Sequence, residues 1–133
     1  MIYALDTNII SYLLNGNAKI AAKLEAVIAS GDDVMIPLMV YYEIRRGLKA
    51  NNSKIKAAAF GEMCAELNVK TLTIADMKTA ADIYAERKRQ GTPIDDADLL
   101  IAAQALTNGY TLVTHNIKHF ESVNDLTVED WTE

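Results

Sequence analysis

Short apolar runs alternate along this chain with stretches of helical periodicity, and that alternation limits the fold more than any single residue does. Ile2–Leu5, Val34–Pro37, Val69–Leu72 and Thr111–Thr114 are each about four residues long, the first two almost wholly apolar and the last two each carrying two polar residues. Such runs read as strands buried on both faces, the kind found in parallel sheets. Between them, apolar residues recur at helical spacing. Ile9, Ile10, Leu13 and Leu14 form one stripe, and Ile20, Leu24, Val27 and Ile28 form an inward face on Ala18–Ala29. Further helices are predicted over Leu38–Lys49, Lys54–Asn68 and Ile74–Gln90, and from Asp95 to Asn108, where Leu99, Ala102, Ala103 and Leu106 share a face. Turn residues punctuate the series: Asn15-Gly16, Ser30-Gly31, Asn51-Asn52-Ser53, Gly91 and Asn108-Gly109. Thr7-Asn8 and Ser53 are placed to cap helices, and Pro37 suits a helix start. Leu126–Val128 adds an edge strand, with Trp131 packing back on the body. The expected class is α/β, with a mainly parallel sheet of four or five strands covered by helices on both faces.

No linker, repeat or low-complexity segment interrupts the 133 residues, so one domain over 1–133 is expected. The net charge of −5 and pI near 5.0 argue against broad, non-specific binding to nucleic acid or membrane. A small nucleic-acid site neutralised by a metal remains compatible with that balance. Cys64 is the single cysteine, cannot pair within the chain, and reads as a small buried hydrophobe of a reducing compartment. The opening Met-Ile-Tyr-Ala-Leu-Asp has neither a basic n-region nor an apolar h-region, so no signal peptide and a cytoplasmic location are expected. No apolar run approaches the ~20 residues of a membrane span.

The acids carry the chemistry. Three aspartates, Asp95, Asp96 and Asp98, crowd the first turn of one helix. One can cap free N–H groups and a second can complement the helix dipole, but a third adds repulsion. Asp6 follows the first strand directly. Glu43 lies about a turn and a half into the helix after the second strand, on a face shared with Val40 and Gly47. Asn116 follows the fourth strand, with Thr114 at its end. Taken singly, Asp6 is a helix cap, Glu43 a surface ion-pair partner, Asp98 a dipole acid and Asn116 a turn residue. Taken together they fall at one end of one predicted sheet, outside the carboxyl ends of the strands, where such folds bind ligands. Carboxylates gathered there call for a hard cation that takes oxygen ligands, Mg²⁺ or Mn²⁺. His115 and His119, four apart, lack a third nitrogen or sulfur ligand for zinc.

These residues resemble a known family. Asp6-Thr7-Asn8 after a first strand, Glu43 in the third helix, Asp98 before Leu99-Leu100-Ile101-Ala102-Ala103, and Val113-Thr114-His115-Asn116 are similar to PIN-domain ribonucleases. Leu126–Trp131 matches as well, and the nearest group is the VapC-type toxins of toxin–antitoxin pairs. The resemblance spans essentially the whole chain and implies a three-layer α/β/α PIN-like fold. It implies that Asp6, Glu43 and Asp98 are the three acidic metal ligands of a Mg²⁺- or Mn²⁺-dependent endoribonuclease. Asn116 would take a fourth catalytic position that is often Asp, so a second metal is in doubt. Asp95 and Asp96 are extra acids able to support the site, and Thr114 a hydroxyl able to bond a carboxylate. Products bearing a 5′-phosphate and a 3′-hydroxyl, a homodimer and a VapB-type antitoxin partner are also implied. RNA grip would come from Arg45, Arg46 and Lys49, then Lys54, Lys56 and Arg87-Lys88-Arg89, with Tyr41 and Tyr42 able to stack bases.

Rival readings fit less of the chain. A receiver-type phosphoacceptor domain wants paired acids after the first strand, an Asp after a middle strand and a Lys after a late one. Here Asp6 stands alone, Pro37-Leu38 follows the second strand and Asn116 holds the late position. A haloacid-dehalogenase-type phosphatase wants Asp-x-Asp where Asp6-Thr7-Asn8 stands. A catalytically silent PIN fold that binds RNA or a partner differs only in lacking metal-dependent cleavage.

Overall fold

The computed structural model describes residues 1–133. In chain order the elements are β1 (Ile2–Leu5), α1 (Thr7–Leu14), α2 (Ala18–Ala29), β2 (Asp33–Pro37), α3 (Leu38–Ala50), α4 (Lys54–Leu67), β3 (Val69–Lys70), α5 (Ile74–Arg89), α6 (Asp96–Asn108), β4 (Thr111–Val113) and β5 (Val128–Glu129). A short 3₁₀ turn spans Ile117–His119. The five strands pair in the order β3-β2-β1-β4-β5, every pair parallel. Six helices flank this sheet in the expected α/β/α arrangement.

Burial follows from the parallel sheet. Tyr3, Ala4 and Leu5 of β1 and Val34–Pro37 of β2 are buried at successive positions, so both faces of the central strands are covered. Ile9, Ile20, Val40, Phe60, Leu99 and Leu112 join them in one contiguous core. Trp131 returns the C-terminal end to this core, its ring 5.5 Å from that of Tyr3.

Several local expectations are corrected. The third strand stops at Lys70 rather than Leu72, because β2 ends opposite it at Pro37 and α3 begins there. The last strand is Val128–Glu129, shifted from Leu126–Val128 by its register on Leu112 and Val113. Ile28 is exposed, not inward: α2 buries only a narrow stripe through Ile20 and Val27. Helix α6 has more than one buried face, since Ile101–Ala105 are buried in succession where it packs against α3, α5 and β4. Cys64 is half-buried. Neither Ser53 nor Asp95 caps its helix with its side chain. The cap of α1 is Asp6, which accepts from the Thr7 N–H at 2.8 Å, in place of Thr7-Asn8.

Candidate active site

The strand order turns around at the neighbours β1 and β4, and the carboxyl ends of these strands carry the site. Asp6 is the first residue beyond β1, and its N–H donates to Val113 O at 2.9 Å, which continues the ladder. Its carboxylate is therefore fixed by the sheet itself and is only 4% exposed. Thr114, the first residue beyond β4, is fully buried and donates its hydroxyl to Asp6 Oδ2 at 2.7 Å. Asn8 Nδ2 lies 3.2 Å from both Asp6 Oδ2 and Thr114 Oγ1, and Asn8 Oδ1 accepts from the His115 N–H at 3.0 Å. Asn116, exposed at the mouth, donates its backbone N–H to Thr114 Oγ1 at 3.0 Å.

Glu43 reaches the same end from α3. Thr7 donates its hydroxyl to Glu43 Oε1 at 2.7 Å, and Arg46 lies 3.8 Å from Oε2. Asp98 arrives from the first turn of α6, about a quarter exposed, with His119 Nδ1 3.3 Å from its Oδ2. The Asp6, Glu43 and Asp98 carboxylates are near enough to act on one another electrically. Burial pushes Asp6 above the ordinary carboxylate range, outweighing the hydrogen bonds from Thr114 and Thr7, and the charges of Asp98 and Glu43 push it further. Asp98 is raised first by its own burial, then by Glu43 and Asp95, against the lowering effect of His119.

The other expected residues divide. Asp95 is exposed but its charge is felt at Asp98, and it lines an open cleft of about 400 Å³ together with Asp98, Lys118 and His119. Asp96 is exposed and does not line that cleft. Arg87 is corrected from a surface cation to a buried clamp: its guanidinium donates to Thr92 O, Thr92 Oγ1 and Ser122 O. Lys88 and Arg89 next to it are exposed. Arg45 stacks over Tyr41 and Phe60, 5.2 Å from each ring, and Arg46 sits over the exposed Tyr42. Tyr41 packs on Phe60 at 5.8 Å. His115 and His119 do not converge: the first faces Asp130 and Thr132, the second Asp98.

Three roles were missed in the sequence reading. Thr7 orients Glu43, Asn8 ties β1 to β4, and His119 meets Asp98. All three lie within or beside stretches singled out for other reasons, yet no spacing rule pairs Thr7 with Glu43 across 36 positions.

The donor set is oxygen throughout, which suits a hard divalent cation better than zinc. Asp6 is buried with no Lys or Arg partner, so a cation from solution would meet an uncompensated charge. As the side chains stand, no three His, Cys, Asp or Glu are grouped closely enough to hold a metal ion together. Mg²⁺ keeps several waters and can be bound through one or two carboxylates, so a closed group of three is not a requirement.

Comparison with known proteins shows the family. The family model described as PIN domain matches residues 3–126. Ribonuclease VapC1 of Haemophilus influenzae (strain R2866) is 31% identical, the match covering 99% of each chain. Ribonuclease VapC2 of Rickettsia felis is also 31% identical over 98% of each. Among solved structures, VapBC2 from Rickettsia felis bound to a promoter DNA fragment superposes with a TM-score of 0.92 at 28% identity, covering 98% of this chain and 99% of that one. VapBC-1 from nontypeable Haemophilus influenzae gives 0.88 at 33% identity over the whole of both chains. The family model spans most of the chain and these relatives nearly all of it, and the chain belongs to the PIN-domain family as a ribonuclease of the VapC type.

Proposed function

We propose that this chain, acting as one unit over residues 1–133, hydrolyses RNA phosphodiester bonds with the help of Mg²⁺ or Mn²⁺ held by Asp6, Glu43 and Asp98. The observation that supports the reading is the approach of Glu43 from α3 and Asp98 from α6 to the buried Asp6 just beyond β1, near enough for their charges to act on it, with no Lys or Arg to neutralise Asp6. Without a cation, such a cluster repels a phosphodiester; with one, it draws the phosphate in. A bound divalent ion supplies an activated water and offsets negative charge gathering on the phosphate.

The chain's own residues supply the geometry. Asp6 is the fixed member, held by Thr114 and the Thr7 N–H. Glu43, oriented by the Thr7 hydroxyl, and Asp98, beside His119, are less buried and able to shift as substrate enters. Glu43 or Asp98, whichever were less engaged in holding a cation, would be the carboxylate placed to accept a proton from water. Asn116 offers a neutral amide at the fourth position, and Asp95 flanks Asp98. Arg45, Arg46 and Lys49 on α3 face the RNA.

The partner is an antitoxin of the VapB type. The relatives of known structure named VapBC are complexes of that kind, and a toxin kept with its antitoxin fits an enzyme that degrades RNA. A homodimer and a cytoplasmic location complete the proposal. No helix is long and apolar enough to cross a membrane.

Purified protein incubated with RNA tests the reading. Cleavage in Mg²⁺ or Mn²⁺, its loss in EDTA and its loss in Asp98→Ala with the fold intact are expected. Metal-independent cleavage contradicts the metal-held mechanism, and no cleavage by wild-type protein leaves a silent RNA- or partner-binding PIN fold.

A further inference from the structure

The cations of this acidic chain are not evenly spread. Arg45, Arg46, Lys49, Lys54 and Lys56 fall between Ile44 and Gly61, and none of the 18 Asp and Glu residues does. That segment is the second half of α3, the turn after it and the first half of α4. Two open grooves meet there. One, of about 200 Å³, begins at Thr7 and Glu43 in the active site and runs past Ser11, Asn15 and Gly47 to Lys56. The other, of about 270 Å³, is lined by Arg45, Lys49, Asn52, Ser53 and Lys54. Leu48 borders both, so they form one path around the end of α3. Lys56 Nζ bonds Asn15 Oδ1 at 2.6 Å, joining the two walls of the first groove.

Gly47 is the second observation. It sits inside α3, where glycine costs stability relative to alanine. Its φ lies outside the left-handed region, and a Cβ built on it would meet no protein atom within 4 Å. Neither backbone conformation nor packing within the chain asks for glycine there. It stands one helical turn beyond Glu43, on the face that forms the groove floor. A missing side chain at such a point allows close approach of something outside the chain.

We infer that the path from Glu43 over Gly47 to Lys56, Lys54 and Lys49 is a track for single-stranded RNA, with backbone phosphates on the lysines and the closest approach at Gly47. The track rests on the RNA-cleaving reading above. Its charge favours RNA over an acidic peptide only because the path is continuous with the carboxylates, where the scissile phosphate must lie. A cationic track beside an anionic, metal-binding centre also sets direction: the strand is held on one side of the cut by charge.

The test is fluorescence anisotropy with a labelled single-stranded oligouridylate RNA in EDTA, where the metal-dependent step is absent. Wild-type protein is compared with Gly47→Leu, with the triple variant Lys49→Ala/Lys54→Ala/Lys56→Ala, and with Lys78→Ala as a control on α5. The expected result is binding weakened about tenfold or more in the first two and unchanged in the control. The salt dependence of the triple variant should be shallower by up to about three in log–log slope. Gly47→Leu should keep or raise the melting temperature. Wild-type affinity and slope in the triple variant overturns the track, and wild-type affinity in a folded Gly47→Leu overturns the close approach. Should Gly47→Leu not fold, the triple variant decides alone. Intact RNA binding with lost antitoxin binding assigns the groove to a protein and also overturns the inference. Hydrolysis of bis(p-nitrophenyl) phosphate by wild-type protein in Mn²⁺ checks the nuclease reading separately, so the two failures are distinguishable.

Discussion

Thr114 donates its hydroxyl to Asp6 Oδ2 at 2.7 Å, joining residues 108 positions apart at the ends of adjacent parallel strands. Thr114 Oγ1 in turn accepts from Asn8 Nδ2 and from the Asn116 N–H. One fully buried hydroxyl thus organises the buried aspartate, the start of α1 and the loop bearing Asn116.

Thr114→Val keeps the shape of the side chain and removes these bonds. Buried polar partners left unmade cost about 1–3 kcal/mol, so urea denaturation should show a loss of that size. Thr114→Ser should recover most of it. Divalent-ion affinity should fall with Thr114→Val as well, because Asp6 loses its main orienting contact. A valine variant with wild-type stability and ion affinity contradicts the role assigned to Thr114.

Asp98→Asn should abolish RNA cleavage while leaving the metal-free protein no less stable than wild type. The carboxylate is held above its ordinary pKa by burial and by Glu43 and Asp95, against the opposing effect of His119, so removing its charge relieves repulsion that a proton or a bound cation otherwise relieves. Thermal melting in EDTA checks this. A clear fall in melting temperature means that the His119 contact at 3.3 Å outweighs the repulsion.

Stability of the metal-free protein should respond to pH in two opposite windows. Asp6 and Asp98 have raised folded pKa values, so their contribution is complete below the ordinary carboxylate pKa and is lost as pH rises through the raised values. Burial alone would raise Asp130, but bonds from Thr132 and His115 outweigh it and hold it low. Its contribution is therefore present above the ordinary pKa and lost as pH falls through the lowered one. Melting temperature in EDTA should rise on mild acidification from neutral pH and then fall in stronger acid. Saturating Mg²⁺ should remove the rise, since the ion stabilises the charged forms. A monotonic fall from neutral pH in EDTA contradicts the crowded, uncompensated carboxylates.

Trp131→Ala should destabilise the fold by about 3–5 kcal/mol, the range for emptying a buried aromatic site. Trp131 is 3% exposed, packs on Tyr3 of the central strand and donates to Glu129 Oε1 at 3.2 Å. Chemical denaturation measures the loss; a cost near zero would mean that the C-terminal residues lie loosely on the body.

The layout of the sheet and helices could be read from apolar spacing because each parallel strand is a short continuous run and each helix shows a stripe. The rule that ligands bind at the ends of a parallel sheet gathered Asp6, Glu43, Asn116 and the aspartates at 95, 96 and 98, and the PIN-domain resemblance singled out Asp6, Glu43 and Asp98 among them. What spacing could not give was contact between distant elements. The Thr7–Glu43 bond depends on how α1 packs on α3, and Arg87 is buried only because the 92 and 122 loops close over it. Ile28 and the all-round burial of α6 failed for the same reason: a helix's apolar width is set by its number of neighbours, which a stripe alone does not reveal. Strand length at β3 was decided by its partner, since β2 ends at Pro37.

Calorimetric titration of Mn²⁺ into metal-free protein addresses the central claim most directly, using wild type beside Asp6→Asn, Glu43→Gln and Asp98→Asn. Saturable binding to wild type, weakened more than about tenfold in each variant, is the predicted result. Wild-type affinity in all three variants would mean that these carboxylates do not share an ion.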